Sequence, residues 1–329
     1  MKICFIVYAL NVGSAFLRGY QITESLARHN IEAHILDWPD LTIKLSREKS
    51  LEYNIFIFVK EWSPELVSMI KKKSNAKIII DIVDNYQLHD EFSYNKVSYD
   101  LADVFVVPTT YQKVLLTQRF LNYKKKPVWV IPHHHTNFYN LINDVIRPVN
   151  CIGFQGTVSN RLPKTLEKKL KFFCKSHKIK WKSFFTRGIK ILYNSLSISE
   201  INLLVQHQLD NIDIGIIFPP DNSSISNPIE REKFTMELLL FKPATRLINF
   251  LSHGIPTICY PYTSYLEVCV SSGYPLFVSD EDSLFNWLKL LIEDVSLRSN
   301  IAKKGLEIAN RYSLEQIVLY YRDHLLTLK

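Results

Sequence analysis

The chain has 329 residues, of which 47% are hydrophobic and 22% are charged. This balance is typical of globular proteins and excludes disordered, collagen-like and coiled-coil chains. A single hydrophobic core seldom grows beyond about 250–300 residues, so the length predicts two domains. The formal net charge of +8 predicts anionic partners, without distinguishing nucleic acids, membranes and phosphorylated small molecules.

The cysteines and the first segment predict a cytoplasmic location. The five cysteines are odd in number and form no CxxC pair, which is typical of a reducing compartment and provides no structural zinc site. The apolar segment 1–10 is short and lacks a small-residue cleavage site, so it predicts a buried strand rather than a signal peptide. No apolar run approaches about 18 residues, so we expect no membrane-spanning helix.

The first half of the sequence alternates short apolar runs with amphipathic segments. The apolar runs predict strands at 3–8, 32–36, 54–59, 77–83, 104–107 and 128–131. The helical spacing of apolar residues predicts helices at 16–29, 64–73 and 110–121. Buried strands that alternate with helices are typical of βαβ units, so we expect a parallel sheet.

The same alternation begins again after a polar segment near 147–150. It predicts strands at 151–154, 179–185, 212–218, 256–260 and 276–278, and helices at 163–177, 199–207, 244–253, 283–292, 297–309 and 314–328. The polar segment 221–233 predicts a loop. We therefore expect an α/β protein with two Rossmann-like domains, at 1–148 and 149–305, whose parallel sheets face each other across a cleft.

The segments that follow the predicted strands are the candidate sites, because ligands of open parallel sheets bind beyond the carboxyl ends of the strands. In the first half these segments are 11–14, 60–61, 84–85, 109–110 and 133–135, and in the second half 156–159, 186–187, 219–222 and 262–267. Pockets often form where two domains meet, so we expect these segments to line one cleft.

Two cations stand four residues apart in the segment 242–258. A helix beginning here would place Lys242 and Arg246 on one face of its first turns. The free N–H groups and the dipole at a helix N-terminus attract anions, so two cations at that point predict a diphosphate site. The alternative interpretation is a pair of solvated helix charges.

This segment resembles part of the C-terminal domain of GT-B glycosyltransferases, especially the retaining group 1 family. There a helix leads into a turn of the type small-x-Gly-x-Pro before a strand, and Ser252, Gly254 and Pro256 match that turn. The resemblance extends over essentially the whole chain. It includes a first strand and acceptor loop (2–9, with Gly13, Arg18 and Gly19), the opening strand of a donor domain (152–157), and terminal helices that return to the first domain, predicted at 306–329.

The sequence departs from the group 1 family at the family's pair of glutamates. The corresponding positions are Phe241 and Asn249, and neither is acidic. Asn249 can still form a hydrogen bond with a ribose hydroxyl, and Lys242 and Arg246 can serve as the phosphate anchors.

The resemblance implies the transfer of a sugar from a nucleotide-activated donor, of the UDP or GDP type, to a hydroxyl acceptor without a metal cofactor. Lys242 and Arg246 are expected to bind the phosphates, together with the backbone of Gly156 and Thr157. The other predicted donor-site residues are Arg187 for phosphate, Asn249 for ribose, and Glu267 for sugar or ribose hydroxyls. Structural alternatives stay open, namely a strand-end turn at Gly156, a solvated loop arginine at Arg187 and a glutamate in the first turn of a helix at Glu267.

The first domain is expected to hold the acceptor, with Gly13 and Ser14 in the acceptor loop. Asp84 or Glu61 could act as the general base of an inverting enzyme, whereas retention, which the resemblance favours, requires no such base. His133 could contact the donor pyrophosphate or sugar from across the cleft if the histidines line a hinge there, and a surface loop is the alternative interpretation. The three consecutive histidines 133–135 cannot easily converge on one ion, so we expect no metal site.

Basic clusters predict the remaining partners. One cluster, in a single predicted helix, comprises Lys164, Lys168, Lys169, Lys171 and Lys175, and a second occupies 124–126. The resemblance implies a glycan or lipid-linked acceptor in polysaccharide or glycoconjugate synthesis. One interpretation of the basic clusters is therefore peripheral contact with anionic lipid at the inner face of the membrane. The other interpretation is a solvated lysine face. No nucleic-acid-binding module occurs, so we expect no nucleic-acid partner.

Two alternatives to a glycosyltransferase stay open. A nucleotide-sugar 2-epimerase has the same architecture, and histidines 133–135 with Asp84 and Glu267 could imitate its cleft. A non-catalytic glycosyltransferase-like subunit would fit the missing glutamates. The sequence contains no Walker A, GxGxxG or GxSxG segment, which argues against P-loop kinases, NAD-dependent dehydrogenases and α/β-hydrolases.

Overall fold

Contacts along the chain divide it into two units, Met1–His133 with Leu314–Lys329, and His134–Ser313. The structure is a computed structural model, and it describes residues 1–10, 13–48, 51–84, 92–120, 126–156, 161–185, 200, 207, 209–223 and 225–328. The functional domain boundaries expected after residues 148 and 305 stay predictions.

The first unit is built on a six-stranded parallel sheet with the order β2-β1-β3-β4-β5-β6. Its strands are β1 (Lys2–Val7), β2 (Glu32–Asp37), β3 (Ile55–Val59), β4 (Lys77–Asp81), β5 (Val104–Val107) and β6 (Val128–Val130). The central strand β3 is buried along its whole length, as expected when helices cover both faces of a parallel sheet. All six strands were predicted from their apolar runs.

In the described parts of this unit, five α-helices lie between the strands. A π-helical turn (Ala15–Tyr20) leads into α1 (Gln21–Ala27), and the others are α2 (Trp38–Arg47), α3 (Pro64–Lys73), α4 (Phe92–Leu101) and α5 (Thr110–Phe120). Helices α2 and α4 were not predicted. Helix α2 begins where the side chain of Asp37 accepts a hydrogen bond from the Asp40 N–H at 3.0 Å.

The second unit is built on a four-stranded parallel sheet with the order β10-β9-β7-β8. Its strands are β7 (Cys151–Gly156), β8 (Lys180–Phe185), β9 (Ile214–Ile217) and β10 (Thr257–Cys259). The predicted α/β class with two parallel sheets is therefore confirmed. The prediction of a last strand at 276–278 is wrong, because only an isolated bridge between Cys259 and Phe277 forms there.

Among the described residues, the helices of the second unit follow the predicted pattern except for α7 and α9, which were not predicted. The helices are α6 (Lys164–Ser176), α7 (Pro228–Phe241), α8 (Thr245–Ser252), α9 (Thr263–Cys269), α10 (Glu281–Glu293) and α11 (Val295–Ala309), and α12 (Leu314–Leu326) then completes the first unit. The prediction of a loop over 221–233 is wrong in its second part, because Asn227 caps α7 and Pro228 occupies its first turn. The helix predicted at 199–207 falls almost entirely outside the described residues.

In the part of the chain that the structure describes, no helix combines the length and apolar character needed to cross a bilayer.

Candidate functional site

The two predicted phosphate-binding cations lie on either side of a break between two helices. Lys242 ends α7 with an extended backbone (ψ 124°), and Arg246 is the second residue of α8. The prediction that both stand on one helix is therefore wrong. The cause is Pro243, because a proline disfavours the helical conformation in the residue that precedes it.

Lys242 is held in place by the start of α9, the second helix after it in the sequence. Its side chain is only 8% exposed. The hydroxyl of Ser264 donates a hydrogen bond to the Lys242 carbonyl, and the Lys242 Nζ lies 5.6 Å from the centre of the Tyr262 ring. A buried ammonium group on an aromatic face provides a localised positive charge beside the start of α8.

Arg246 lies near a second buried aromatic residue. The Tyr265 side chain is fully buried, and its hydroxyl has no hydrogen-bond partner among the described residues. Burial raises the pKa of Tyr265, and the charge of Arg246 opposes this effect. Helix α8 follows Ala244, whose methyl group cannot accept a hydrogen bond, so its first N–H groups receive no cap from that side chain. This arrangement of two cations at a helix start is suited to an anion.

Asn249, predicted to bind ribose, is a buried residue of α8. Its side-chain oxygen accepts hydrogen bonds from the Thr136 N–H at 2.9 Å and from the Thr136 hydroxyl at 3.3 Å. Asn249 therefore anchors the segment 134–137 to α8, and its role towards a ligand stays a prediction.

The other predicted donor-site residues are placed as follows. Gly156 is the buried last residue of β7. Thr157 and Arg187 lie outside the described residues. Glu267 is half-buried in α9, beyond its first turn, so the alternative explanation by the N-terminal helix dipole does not apply.

The three consecutive histidines are all buried, and they belong to different units. His133 ends the first unit, whereas His134 and His135 begin the second. The Nδ1 atom of His135 accepts a hydrogen bond from the Asn137 N–H at 3.2 Å, so its proton lies on Nε2. Burial, together with the charges of His134 and His253, lowers the pKa of His135 to about 3. Among the described residues, no group of three ligating side chains could hold a metal ion.

At the carboxyl ends of β3 and β4 the first unit brings Lys60 and Asp84 together. The Lys60 Nζ lies 3.0 Å from the Asp84 Oδ1, and both side chains are partly exposed. The backbone at this edge is unusual, because Lys60 (φ +68°) and Val83 (φ +55°) both occupy the left-handed region. Glu61 is half-buried beside Lys60. Lys60 and Glu61 form the candidate segment 60–61, and no separate role was predicted for Lys60.

The predicted acceptor-loop residues Gly13 and Ser14 open the helical segment that precedes α1. Gly13 is exposed, and a Cβ atom added to it would meet no atom within 4 Å. Ser14 immediately precedes the π-helical turn and is half-buried.

Sequence reasoning missed a buried polar network in the first unit. Asp81, the buried last residue of β4, lies at the centre of this network. Its Oδ2 accepts hydrogen bonds from Arg18 Nε and from the Tyr321 hydroxyl, both at 2.9 Å. The signal that could have found the network is a pair of opposite charges, Arg18 and Asp81, each within an apolar segment.

Comparison with solved structures shows the fold. An alpha-glucosyltransferase in complex with UDP and a 13-mer DNA has a TM-score of 0.65 and 11% identity, over 99% of this chain and 100% of that chain. HepE from Anabaena, in complex with UDP-glucose, has a TM-score of 0.60 and 12% identity over 99% of this chain and 100% of that one. Sucrose-phosphate synthase from Thermosynechococcus elongatus has a TM-score of 0.59 and 10% identity over 100% of this chain and 99% of that one.

These similarities identify the fold as GT-B, as the sequence resemblance implied. The chain also matches the GtfA/B complex with a TM-score of 0.55, where it spans only 57% of the other chain. No protein-family profile and no curated protein matches the sequence, so the likeness to the group 1 family stays a prediction.

Proposed function

We propose that the protein is a glycosyltransferase that moves a sugar from a UDP- or GDP-type donor to a hydroxyl acceptor. The observation that carries this proposal is the arrangement of Lys242 and Arg246 at the start of α8, where Ala244 provides no side-chain cap, in a GT-B chain. The structural neighbours with bound UDP or UDP-glucose support it.

In the proposed reaction the bond between the sugar carbon and the phosphate oxygen breaks, and the acceptor oxygen forms a new bond to that carbon. Negative charge develops on the departing diphosphate. Lys242, Arg246 and the N–H groups of α8 stabilise that charge, and preorganised groups of this kind contribute strongly to catalysis. We expect these cations to supply the positive charge that a divalent metal would otherwise provide, so transfer should persist in EDTA.

The acceptor is proposed to bind the first unit near Lys60, Asp84 and Glu61. In an inverting reaction, Asp84 or Glu61 would take the proton from the acceptor hydroxyl. In a retaining reaction, the proton leaves with the departing phosphate. Gly13, Ser14 and His133 remain proposed members of the acceptor and sugar environment.

We further propose a glycan or lipid-linked acceptor and a peripheral contact with anionic membrane. The supporting observation is the outer face of α6, where Phe172 is 75% exposed between Lys168, Lys171 and Lys175. Lys169 and Lys171 contribute less, since Lys169 is paired with Glu281 at 2.6 Å and Lys171 with Glu167 at 2.8 Å. Cosedimentation with phosphatidylcholine vesicles, with and without phosphatidylglycerol, tests this contact, and a Phe172→Ser variant with unchanged vesicle binding contradicts it.

Thermal shifts with UDP, GDP, CMP, dTDP and their sugars test the donor site. A ligand present at about 100 times its Kd adds roughly 2.7 kcal/mol to the stability, which such a measurement readily detects. We expect one nucleotide class to stabilise the protein, and Lys242→Ala with Arg246→Ala to abolish the shift. The matched control is Lys303→Ala with Arg322→Ala, since Lys303 is exposed and Arg322 is half-exposed.

Two outcomes contradict the proposal. If no nucleotide shifts the melting temperature, the donor site is wrong and a non-catalytic subunit becomes the better interpretation. If the donor is converted to a second nucleotide sugar without any acceptor, the protein is an epimerase of the same architecture.

A further inference from the structure

We propose that the buried network of Arg18, Asp81 and Tyr321 positions Asp84 for the acceptor, an inference that rests on the proposed glycosyl transfer. In this proposal Asp81 acts as the centre of the network. Arg18 and Tyr321 hold Asp81 from two helical segments, and Asp81 holds the turn that carries Asp84. The three network residues are positioning residues, because none of them is exposed to a substrate.

The polar contacts that Arg18 and Tyr321 make with Asp81 all end on one carboxylate oxygen, Oδ2. Arg18 Nη2 lies 2.8 Å from Asp81 Oδ2, in addition to the hydrogen bonds from Arg18 Nε and the Tyr321 hydroxyl. Arg18 also donates through Nη1 to the carbonyls of Ile131 and Pro132, both at 2.9 Å. A buried ion pair is weak evidence for stability, because well-packed apolar residues often stabilise a core equally well. In this proposal, the role of the Arg18–Asp81 pair is to fix one geometry of the surrounding chain.

Asp81 also contacts the partner of Asp84 at the end of the neighbouring strand. Its backbone carbonyl accepts a hydrogen bond from the Lys60 N–H at 2.8 Å. Burial raises the pKa of the Asp81 carboxyl, and the charge of Arg18 acts against this effect. Asp81 therefore holds the backbone of Lys60, and it stands three residues before Asp84 on the same strand end.

These constraints coincide with the two left-handed residues at this edge of the sheet. Val83 has a φ of +55°, a conformation that β-branched residues rarely adopt. Lys60 has a φ of +68°, and the Glu61 N–H donates to the Val59 carbonyl at 2.8 Å, which closes a tight turn at Lys60. Strained backbone of this kind persists only where its surroundings over-determine it, and it is concentrated at functional sites.

Tyr321 is the group of the network that can be changed most conservatively. Its hydroxyl is the one polar contribution of α12 to Asp81 that the structure describes, and its ring packs edge-on against Phe5 at a centroid distance of 6.1 Å. Tyr321→Phe removes the hydroxyl and retains this packing. The matched control is Tyr320→Phe, because Tyr320 is the preceding residue of the same helix and is exposed.

The test combines kinetics of sugar transfer with crystal structures of both variants. For Tyr321→Phe we expect kcat to fall on the order of 10- to 100-fold, because small misplacements of reacting groups lower reaction rates by such factors. The donor KM and the nucleotide thermal shift should stay as in the wild type. In the crystal, Val83 should leave the left-handed region and the Lys60–Asp84 contact should lengthen, whereas Tyr320→Phe should change neither.

The outcomes separate this inference from the proposed function. If Tyr321→Phe matches Tyr320→Phe in kcat and in the geometry of Lys60, Val83 and Asp84, the positioning role is overturned. If the wild-type protein transfers no sugar, the proposed function fails, and the two crystal structures still decide whether Tyr321 determines the geometry of Asp84.

Discussion

The side-chain oxygen of Asn249 accepts a hydrogen bond from the backbone N–H of Thr136, which lies 113 residues earlier in the sequence. This bond attaches the first residues of the second unit to α8, the helix that begins beside Arg246. By resemblance, Asn249 occupies a position where group 1 glycosyltransferases have a glutamate. An asparagine provides the same acceptor oxygen to the backbone without placing a negative charge in a buried position.

Asn249→Ala should therefore destabilise the protein through the group that it leaves behind. The Thr136 N–H would remain buried without its acceptor, which costs about 1–3 kcal/mol. Urea denaturation followed by circular dichroism measures this change. Asn300→Ala, on an exposed face of α11, is the control and should stay within about 0.5 kcal/mol of the wild type. Equal stabilities of the two variants would show that the Asn249–Thr136 bond contributes nothing.

His135 should make the stability depend on pH. Its folded-state pKa of about 3 lies below the ordinary histidine value of 6.5, so the unfolded chain binds the proton more tightly. The contribution of His135 to the free energy of unfolding is therefore fully present above pH 6.5 and is lost as the pH falls towards 3. At pH 5 this loss should be about 2 kcal/mol.

The variant His135→Asn retains an acceptor for the Asn137 N–H and removes the titrating ring. Urea denaturation of this variant at pH 7 and pH 5 should show a weaker pH dependence than that of the wild type. His177→Asn, at an exposed position after α6, should leave the pH dependence unchanged. A wild-type pH dependence retained in His135→Asn would exclude His135 as its source.

Much of the fold could be predicted because each buried strand corresponds to a continuous run of apolar residues in the sequence. The helix at 64–73 and the strand at 104–107 have the predicted bounds, since each apolar run ends at polar residues. Helix α7 was missed because its first half is polar, and its start depends on the cap at Asn227 rather than on apolar spacing.

The candidate site could be predicted only in part, because its geometry depends on contacts that are distant in sequence. The sequence identified Lys242 and Arg246, but the helix break at Pro243 changes how they are presented. The network around Asp81 joins residues 63 and 240 positions away, and no local pattern records such a pairing.

Arg298 should be irreplaceable even by lysine. It donates Nε to the Val145 carbonyl at 3.0 Å, Nη1 to the Leu291 carbonyl at 2.6 Å and Nη2 to the Arg147 carbonyl at 2.7 Å. A lysine lacks the planar fork that reaches three separate acceptors, so Arg298→Lys should cost about 2–4 kcal/mol. The control is Arg322→Lys in the half-exposed pair with Asp323, which should cost less than about 1 kcal/mol. Similar losses in both variants would contradict this role.

Gly13 offers a test that separates folding from acceptor binding. The residue is exposed at the start of a helical segment, and an added Cβ meets no neighbour within 4 Å. Gly13→Ala should therefore stabilise the protein by about 0.4–1 kcal/mol, because alanine loses less conformational entropy on folding. Gly273→Ala is the contrasting variant. Its site is equally open, but its φ of +60° strains an alanine, so this variant should lose about 1 kcal/mol.

The activity of Gly13→Ala then tests the predicted acceptor loop. If the acceptor approaches the backbone at Gly13, the methyl group should raise the acceptor KM while the donor KM and the nucleotide thermal shift stay unchanged. Gly273→Ala, in a different unit from Gly13, should leave the acceptor KM as in the wild type. A more stable Gly13→Ala variant with an unaltered acceptor KM would place the acceptor elsewhere. In that case the added methyl group would contact only solvent and not the acceptor.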